Sequence, residues 1–428
     1  MPGLKSRKLL FASLLAILLL GSAFFPAHSQ QVIEFKNHHA DTTFLENIRF
    51  TVDLCGLPEH AGVSLHVRFS HEGWESIGAF VDKATPTSCA RGRYTYPMED
   101  YPPFLPVEYY WQVIPQEGGI YEGPHQSALY EDTRYQWQKL ESGNITVYWH
   151  DRPTRLGEQV LAIAKEADQL QSRFFGLELN NPYRIVIFNS ADEFFGWNVD
   201  SDDYVAGEAY PFFDLTVQIM EEDDDRDWLN DLIPHEISHL YFNQATFHPK
   251  PESDPPSWLN EGVAVYNELS DHSFEDQILG KAVRADGLIP LYELANSFGD
   301  DHDRVDLAYA EGYSAVSYLM EQYGRDTLKK IMNSYRRGDS TEEVFAGSID
   351  KTPEAFEMDW RAWLKKKYSK EMLPPPIETL PVPDRTPSAG YKFLYLVLCT
   401  LGLIPLLCLV TVVAGVFLAL LIRQSLKS

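Results

Sequence analysis

The chain is 428 residues long, enough for two or three domains, and 44% of its residues are apolar, as in a globular protein. Its formal charge of −26 argues against nucleic acid and anionic lipid surfaces as partners, because both attract basic patches.

Residues 1–30 place Lys5, Arg7 and Lys8 before an uncharged run from Leu9 to Phe25, then the small-residue segment Ala27-His28-Ser29. That order predicts a signal peptide, with an uncleaved anchor of similar length as the alternative. From 31 to 138 short runs rich in β-branched and aromatic residues recur, among them Ile48 to Leu54, Val63 to Phe69 and Val107 to Ile114, separated by turn-prone groups such as His71-Glu72-Gly73. The pattern predicts an all-β sandwich of immunoglobulin or fibronectin III type. Cys55 and Cys89 are the two cysteines outside the C-terminal apolar run, and they form a plausible disulfide in an oxidising compartment, two buried free thiols being the alternative. Asn144-Ile145-Thr146 fits a glycosylation acceptor.

From 139 to 368 helix and strand signals alternate, which predicts an α+β domain with a helical C-terminal part. Strands are expected at Ile145 to Trp149, Tyr183 to Phe188 and Leu215 to Met220, and an amphipathic helix at Leu156 to Phe175. A helix from about Trp228 to Ala245 carries His235-Glu236-Ile237-Ser238-His239, an H-E-x-x-H. Residues four apart share a helix face, so the two imidazoles can converge on one small cation, for which Zn²⁺ is the natural occupant. Glu236 lies one step round the helix, where its carboxylate can meet a water. The bland alternative is a solvated helix with two histidines. Pro234 either kinks this helix or marks its true start. After a Pro-rich loop, Ser257 opens a second helix that puts Glu261 on the apolar side with Ala264, Val265 and Leu269, where a glutamate is odd unless it is bound to something. From Leu288 to Tyr368 the sequence reads as helical, with segments at Leu307 to Tyr323, Thr327 to Tyr335 and Pro353 to Tyr368, the last capped by Thr352. Residues 369–390 are proline-rich and predict a semi-rigid stalk. Residues 391–423 contain an uncharged stretch from Phe393 to Ile422, longer than the roughly 20 residues needed to cross a bilayer. Arg423 and Lys427 behind it predict a short cytoplasmic tail at 424–428, and hence a single-pass protein of the cell membrane with its N-terminal ectodomain outside the cytoplasm.

His235-Glu236-Ile237-Ser238-His239, Trp258-Leu259-Asn260-Glu261-Gly262 and Ala308-Tyr309-Ala310-Glu311-Gly312-Tyr313 together resemble the gluzincin metallopeptidases, most closely the bacterial peptidase MA-like domains related to the aminopeptidase N family. The resemblance implies one zinc ion held by His235, His239 and Glu261, with Glu236 as general base. It implies Tyr309 as the hydroxyl donor to the developing oxyanion, with Tyr313 and His302 as rivals. Peptide or protein substrates, and a bilayer contacted through the C-terminal helix, complete that reading. Two features depart from the family: Glu261 follows His239 by 22 positions, and Ala206-Gly207-Glu208-Ala209 stands where aminopeptidases carry G-x-M-E-N. The second puts aminopeptidase activity in question. A metzincin would need histidine at 245 and glycine at 242, where Ala245 and Phe242 stand. The competing readings are a non-enzymatic surface receptor with a degenerate peptidase lobe, and zinc hydrolysis of a non-peptide bond.

Overall fold

The computed structural model describes residues 32–69, 73–82, 89–99, 101–198, 206–221, 226–250, 253–299 and 301–368. The expected signal peptide, stalk, membrane span and tail lie outside them. Among the described residues no helix is long and apolar enough to cross a membrane. The chain divides into two compact units between Thr133 and Arg134.

Among its described residues the first unit has nine strands: β1 (Glu34–Thr43), β2 (Asn47–Cys55), β3 (Gly62–Phe69), β4 (Glu75–Gly78), β5 (Phe80–Asp82), β6 (Ala90–Pro97), β7 (Leu105–Ile114), β8 (Tyr121–Glu122) and β9 (Gln126–Tyr130). They form two antiparallel sheets, β1-β2-β6-β5 and β4-β3-β7, the latter extended by β8 and β9, which both pair with β7. The period-2 pattern explains the layering: Ile48, Phe50, Val52 and Leu54 of β2 are buried, as are Leu65, Val67 and Phe69 of β3 and Val107, Tyr109, Trp111 and Val113 of β7. Gly92 on β6 sits where the sheets meet, since a Cβ there would come within 3.1 Å of Val52 and 3.4 Å of Trp111. Cys55 at the end of β2 is bonded to Cys89 just before β6.

The second unit begins with a five-stranded sheet of β10 (Trp137–Ser142), β11 (Ile145–His150), β12 (Tyr183–Phe188), β13 (Gly207–Tyr210) and β14 (Leu215–Ile219). Its order is β10-β11-β12-β14-β13, parallel in the middle and antiparallel at both edges. α1 (Thr154–Phe175) is the crossover between the parallel strands β11 and β12, and buries Leu156, Val160, Ile163, Ala167 and Phe174 at helical spacing. After the short α2 (Ala191–Phe195) come α3 (Arg226–Thr246), α4 (Ser257–Tyr266), α5 (Ser273–Ala285), α6 (His302–Tyr323), α7 (Arg325–Arg336), α8 (Thr341–Ile349) and α9 (Pro353–Lys367). Thr352 caps α9 by accepting the Ala355 N–H at 3.2 Å.

Two readings need correction. Pro234 does not mark the start of its helix: α3 begins eight residues earlier and runs on past it. Residues 288–299 are turns and irregular chain rather than helix, and carboxylates take two of their backbone donors: Glu311 accepts the Ile289 N–H at 2.8 Å and Glu357 accepts the Leu291 N–H at 3.3 Å. α5 lies in a stretch where the sequence was given no reading.

Glu311 is fully buried, and Oε2 has no hydrogen-bond partner among the described residues. Burial pushes its carboxyl up to about 8, against the pull of the Ile289 N–H and Arg361. The folded chain therefore holds a proton on Glu311 that the unfolded chain releases above its ordinary value of 4.5. Stability linked to this group is fully present below that value and is lost as pH rises towards 8, by on the order of 4 kcal/mol. Glu311→Gln keeps the shape without the titration. The melting-temperature difference, variant minus wild type, is expected to grow from pH 5 to pH 8 by calorimetry; a difference independent of pH would contradict it.

Candidate metal centre

α3 supplies His235, Glu236 and His239, and α4 supplies Glu261. The two helices pack so that one Glu261 oxygen, Oε2, lies 3.2 Å from His235 Nε2 and 3.4 Å from His239 Nε2. Their candidate ligand atoms all fall within 4.8 Å of one another. Four ligands arranged tetrahedrally about zinc at 2.0–2.1 Å would be about 3.3 Å apart, so the two distances from Glu261 Oε2 suit that ion.

The other ring nitrogens settle what the site wants. His235 Nδ1 is 2.9 Å from Glu268 Oε1, and His239 Nδ1 is 3.0 Å from Asn260 Oδ1. Both oxygens accept, so each Nδ1–H donates outward and each Nε2 presents a lone pair to the centre. Two imidazole lone pairs and a carboxylate then converge in a buried space, which is stable only around a cation. Without an ion, a proton takes that place: burial would lower His235, yet the Glu261 and Glu268 carboxylates hold its pKa well above the ordinary value, and a bound cation would displace the Nε2 proton. Burial would raise Glu261, yet His239 and His235 hold it well below the usual carboxylate range.

Glu236 faces the same space without joining that set. It is 5% exposed, and burial pushes its carboxyl up to about 7 against the pull of His239 and His235. β13 lies directly over it: a Cβ on Gly207 would be 2.9 Å from Glu236 Oε1 and 3.0 Å from Leu232, so a larger residue there would have to displace the Glu236 carboxylate. In β13 the Ala206 carbonyl accepts the Ile219 N–H, and the ladder alternates from there, leaving the peptide groups of Gly207 and Ala209 to point away from β14 along an edge that is unpaired among the described residues.

Tyr309 on α6 lines the same cavity, its ring 5.9 Å from that of His235. Neither rival for its role does so. Tyr313 packs on His272, ring to ring at 4.2 Å, and His302 is the exposed first residue of α6. The cavity, about 700 Å³, runs from the ligand cluster past Phe242 to an apolar end at Pro211, Phe212 and Phe247. No Lys or Arg is among its described lining residues, whereas Glu208 and Asp254 are.

Sequence reasoning missed Glu268 and the role of Asn260. Asn260 stands beside Glu261 in the second motif, and Glu268 lies seven positions after Glu261, beyond the end of α4. An acceptor side chain close to a ligand in sequence was the available signal for the first, and nothing marked the second.

Residues 163–366, a little under half of the chain, match the sequence profile of the Peptidase MA superfamily. No curated protein matches the sequence. Among solved structures, the chain is similar to an aminopeptidase N family protein from Idiomarina loihiensis, at 12% identity over 75% of this chain and 73% of that one with a TM-score of 0.32. It is also similar to an M1 zinc metallopeptidase from Deinococcus radiodurans, at 13% identity over 85% of this chain and 100% of that one with a TM-score of 0.34. A mutant of the Deinococcus enzyme bound to a Tyr-Ser-Ala substrate matches at 13% identity over 83% and 98% of the two chains, again at 0.34. At such scores the overlap with solved structures does not define the fold. The family profile spans α3, α4 and α6, the helices that bear the three motifs, so over residues 163–366 the chain is similar to the Peptidase MA superfamily.

Proposed function

We propose that this chain is a zinc-dependent metallopeptidase that hydrolyses peptide bonds. The observation that carries the reading is the convergence of Glu261 Oε2 on both Nε2 atoms while both Nδ1 atoms are engaged by acceptors. His235, His239 and Glu261 would hold one zinc ion, which when bound supplies Lewis acidity to a substrate carbonyl and to water. Glu236 takes a proton from the attacking water and passes it to the leaving amine, the two transfers expected of a general base next to a metal. Tyr309, which lines the same cavity, donates its hydroxyl to the developing oxyanion. Gly207 and Ala209 offer backbone groups to an extended substrate as an added strand, and Glu236 waits beneath that strand. The apolar end at Phe212 and Phe247 favours bulky apolar side chains in the substrate, and the acidic lining disfavours acidic ones.

The four central residues are all present and assembled, which favours an enzyme over a degenerate binding lobe. Residues 1–30 and 391–423 support delivery through the cell membrane and retention on its outer side. The test is digestion of an unfolded protein, with and without a chelator, alongside matched peptides with free and blocked amino termini. Cleavage that the chelator stops and zinc restores is expected; cleavage insensitive to metal removal, or none at all, would refute the proposal. Blocked peptides cut as fast as free ones would make it an endopeptidase.

A further inference from the structure

Pro234 sits in the interior of α3, immediately before the first candidate ligand. A proline there has no N–H, so the carbonyl four residues back, that of Asn230, loses its helical donor, and the ring crowds that carbonyl outward. In this chain the vacancy is filled from elsewhere: the Leu269 N–H donates to the Asn230 carbonyl at 3.0 Å. Leu269 follows Glu268, the residue whose Oε1 receives His235 Nδ1 at 2.9 Å. α4 has already ended at Tyr266, and the last tie of this segment to it is the Glu268 N–H on the Val265 carbonyl at 3.1 Å, so beyond Glu268 the turn needs an anchor of its own. The anchor one residue further on ties that turn to α3, on the helix that carries His235.

From this we infer that Pro234 is a positioning residue for the metal centre. By freeing the Asn230 carbonyl it creates the acceptor that docks Leu269, and the docked turn delivers the Glu268 carboxylate to His235. Glu268 in turn fixes the tautomer that leaves Nε2 facing the centre. The inference explains why so poor a helix former occupies the middle of a buried helix, and it rests on the zinc reading above. An alanine at 234 would supply the missing donor to Asn230, compete with Leu269 for the same carbonyl, and release the turn.

The test uses the full chain and its affinity for Zn²⁺, measured by competition with a chromophoric chelator, together with the melting temperature of the metal-free protein. P234A is expected to weaken zinc binding about 10- to 100-fold, the range typical for loss of a partner behind a ligand. The metal-free melting temperature should hold or rise, since alanine suits a helix interior far better than proline. E268A, which leaves the helix untouched and removes the acceptor, should weaken zinc binding similarly, and P234A added to E268A should cost little more, because both act through one contact. Wild-type zinc affinity in P234A, or fully additive losses in the double variant, would overturn the inference. A wild-type chain that binds no zinc would instead overturn the metal site itself.

Discussion

Glu236→Gln is expected to lower kcat roughly 10²- to 10⁴-fold, the usual contribution of a general base, while the chain keeps its metal. The amide matches the carboxylate in size, so the close packing of Gly207 and Leu232 around position 236 survives. What it lacks is basicity. The ligand atoms belong to His235, His239 and Glu261, and Glu236 is not among them, so metal content should be unchanged by elemental analysis. Loss of the metal, or undiminished cleavage, would show that Glu236 has been given the wrong role.

The second large effect is expected from backbone packing rather than from a change of charge. α4 and α6 cross at Gly262 and Gly312. A Cβ on Gly312 would stand 2.7 Å from the Trp258 carbonyl oxygen and 3.3 Å from Gly262 Cα, and one on Gly262 would strike the Gly312 backbone. All of these neighbours are backbone, which cannot swing aside as a side chain could. Gly262 adjoins Glu261 and Gly312 follows Tyr309 by three residues, so this crossing sets the distance between the candidate third ligand and the candidate oxyanion donor. Gly312→Ala is expected to cost about 2–4 kcal/mol through forced separation of the helices, and to weaken zinc binding as Glu261 moves. Gly347→Ala on α8 is the control: nothing lies within 4 Å of a Cβ there, and alanine is the better helix former, so stability should hold or rise slightly. Equal melting temperatures for wild type and Gly312→Ala would contradict the close crossing.

Much of the catalytic half was legible because its signals are local. The spacing of His235 and His239 fixes a shared helix face, and the apolar periodicity of Leu156 to Phe174 marks α1, which is found at Thr154–Phe175. Glu261 stood out as a carboxylate on an apolar face, and the structure brings it within 3.2 Å of His235. What could not be read depends on pairs distant in sequence. Pro234 read as a possible break, because the donor that compensates it is Leu269, 35 residues later. Gly262 and Gly312 each look like an ordinary glycine until their helices cross. The turns at 288–299 read as helix because apolar residues recur there, whereas two of their backbone donors are claimed by Glu311 and Glu357 from α6 and α9.

The most direct measurement is an anomalous difference map at the zinc absorption edge, from crystals of the zinc-loaded chain. One peak is expected, about 2.0–2.2 Å from His235 Nε2, His239 Nε2 and a Glu261 oxygen together, with Glu236 outside that sphere. No peak at the two histidines, or a peak there with the Glu261 carboxylate turned away out of coordination distance, would contradict the account.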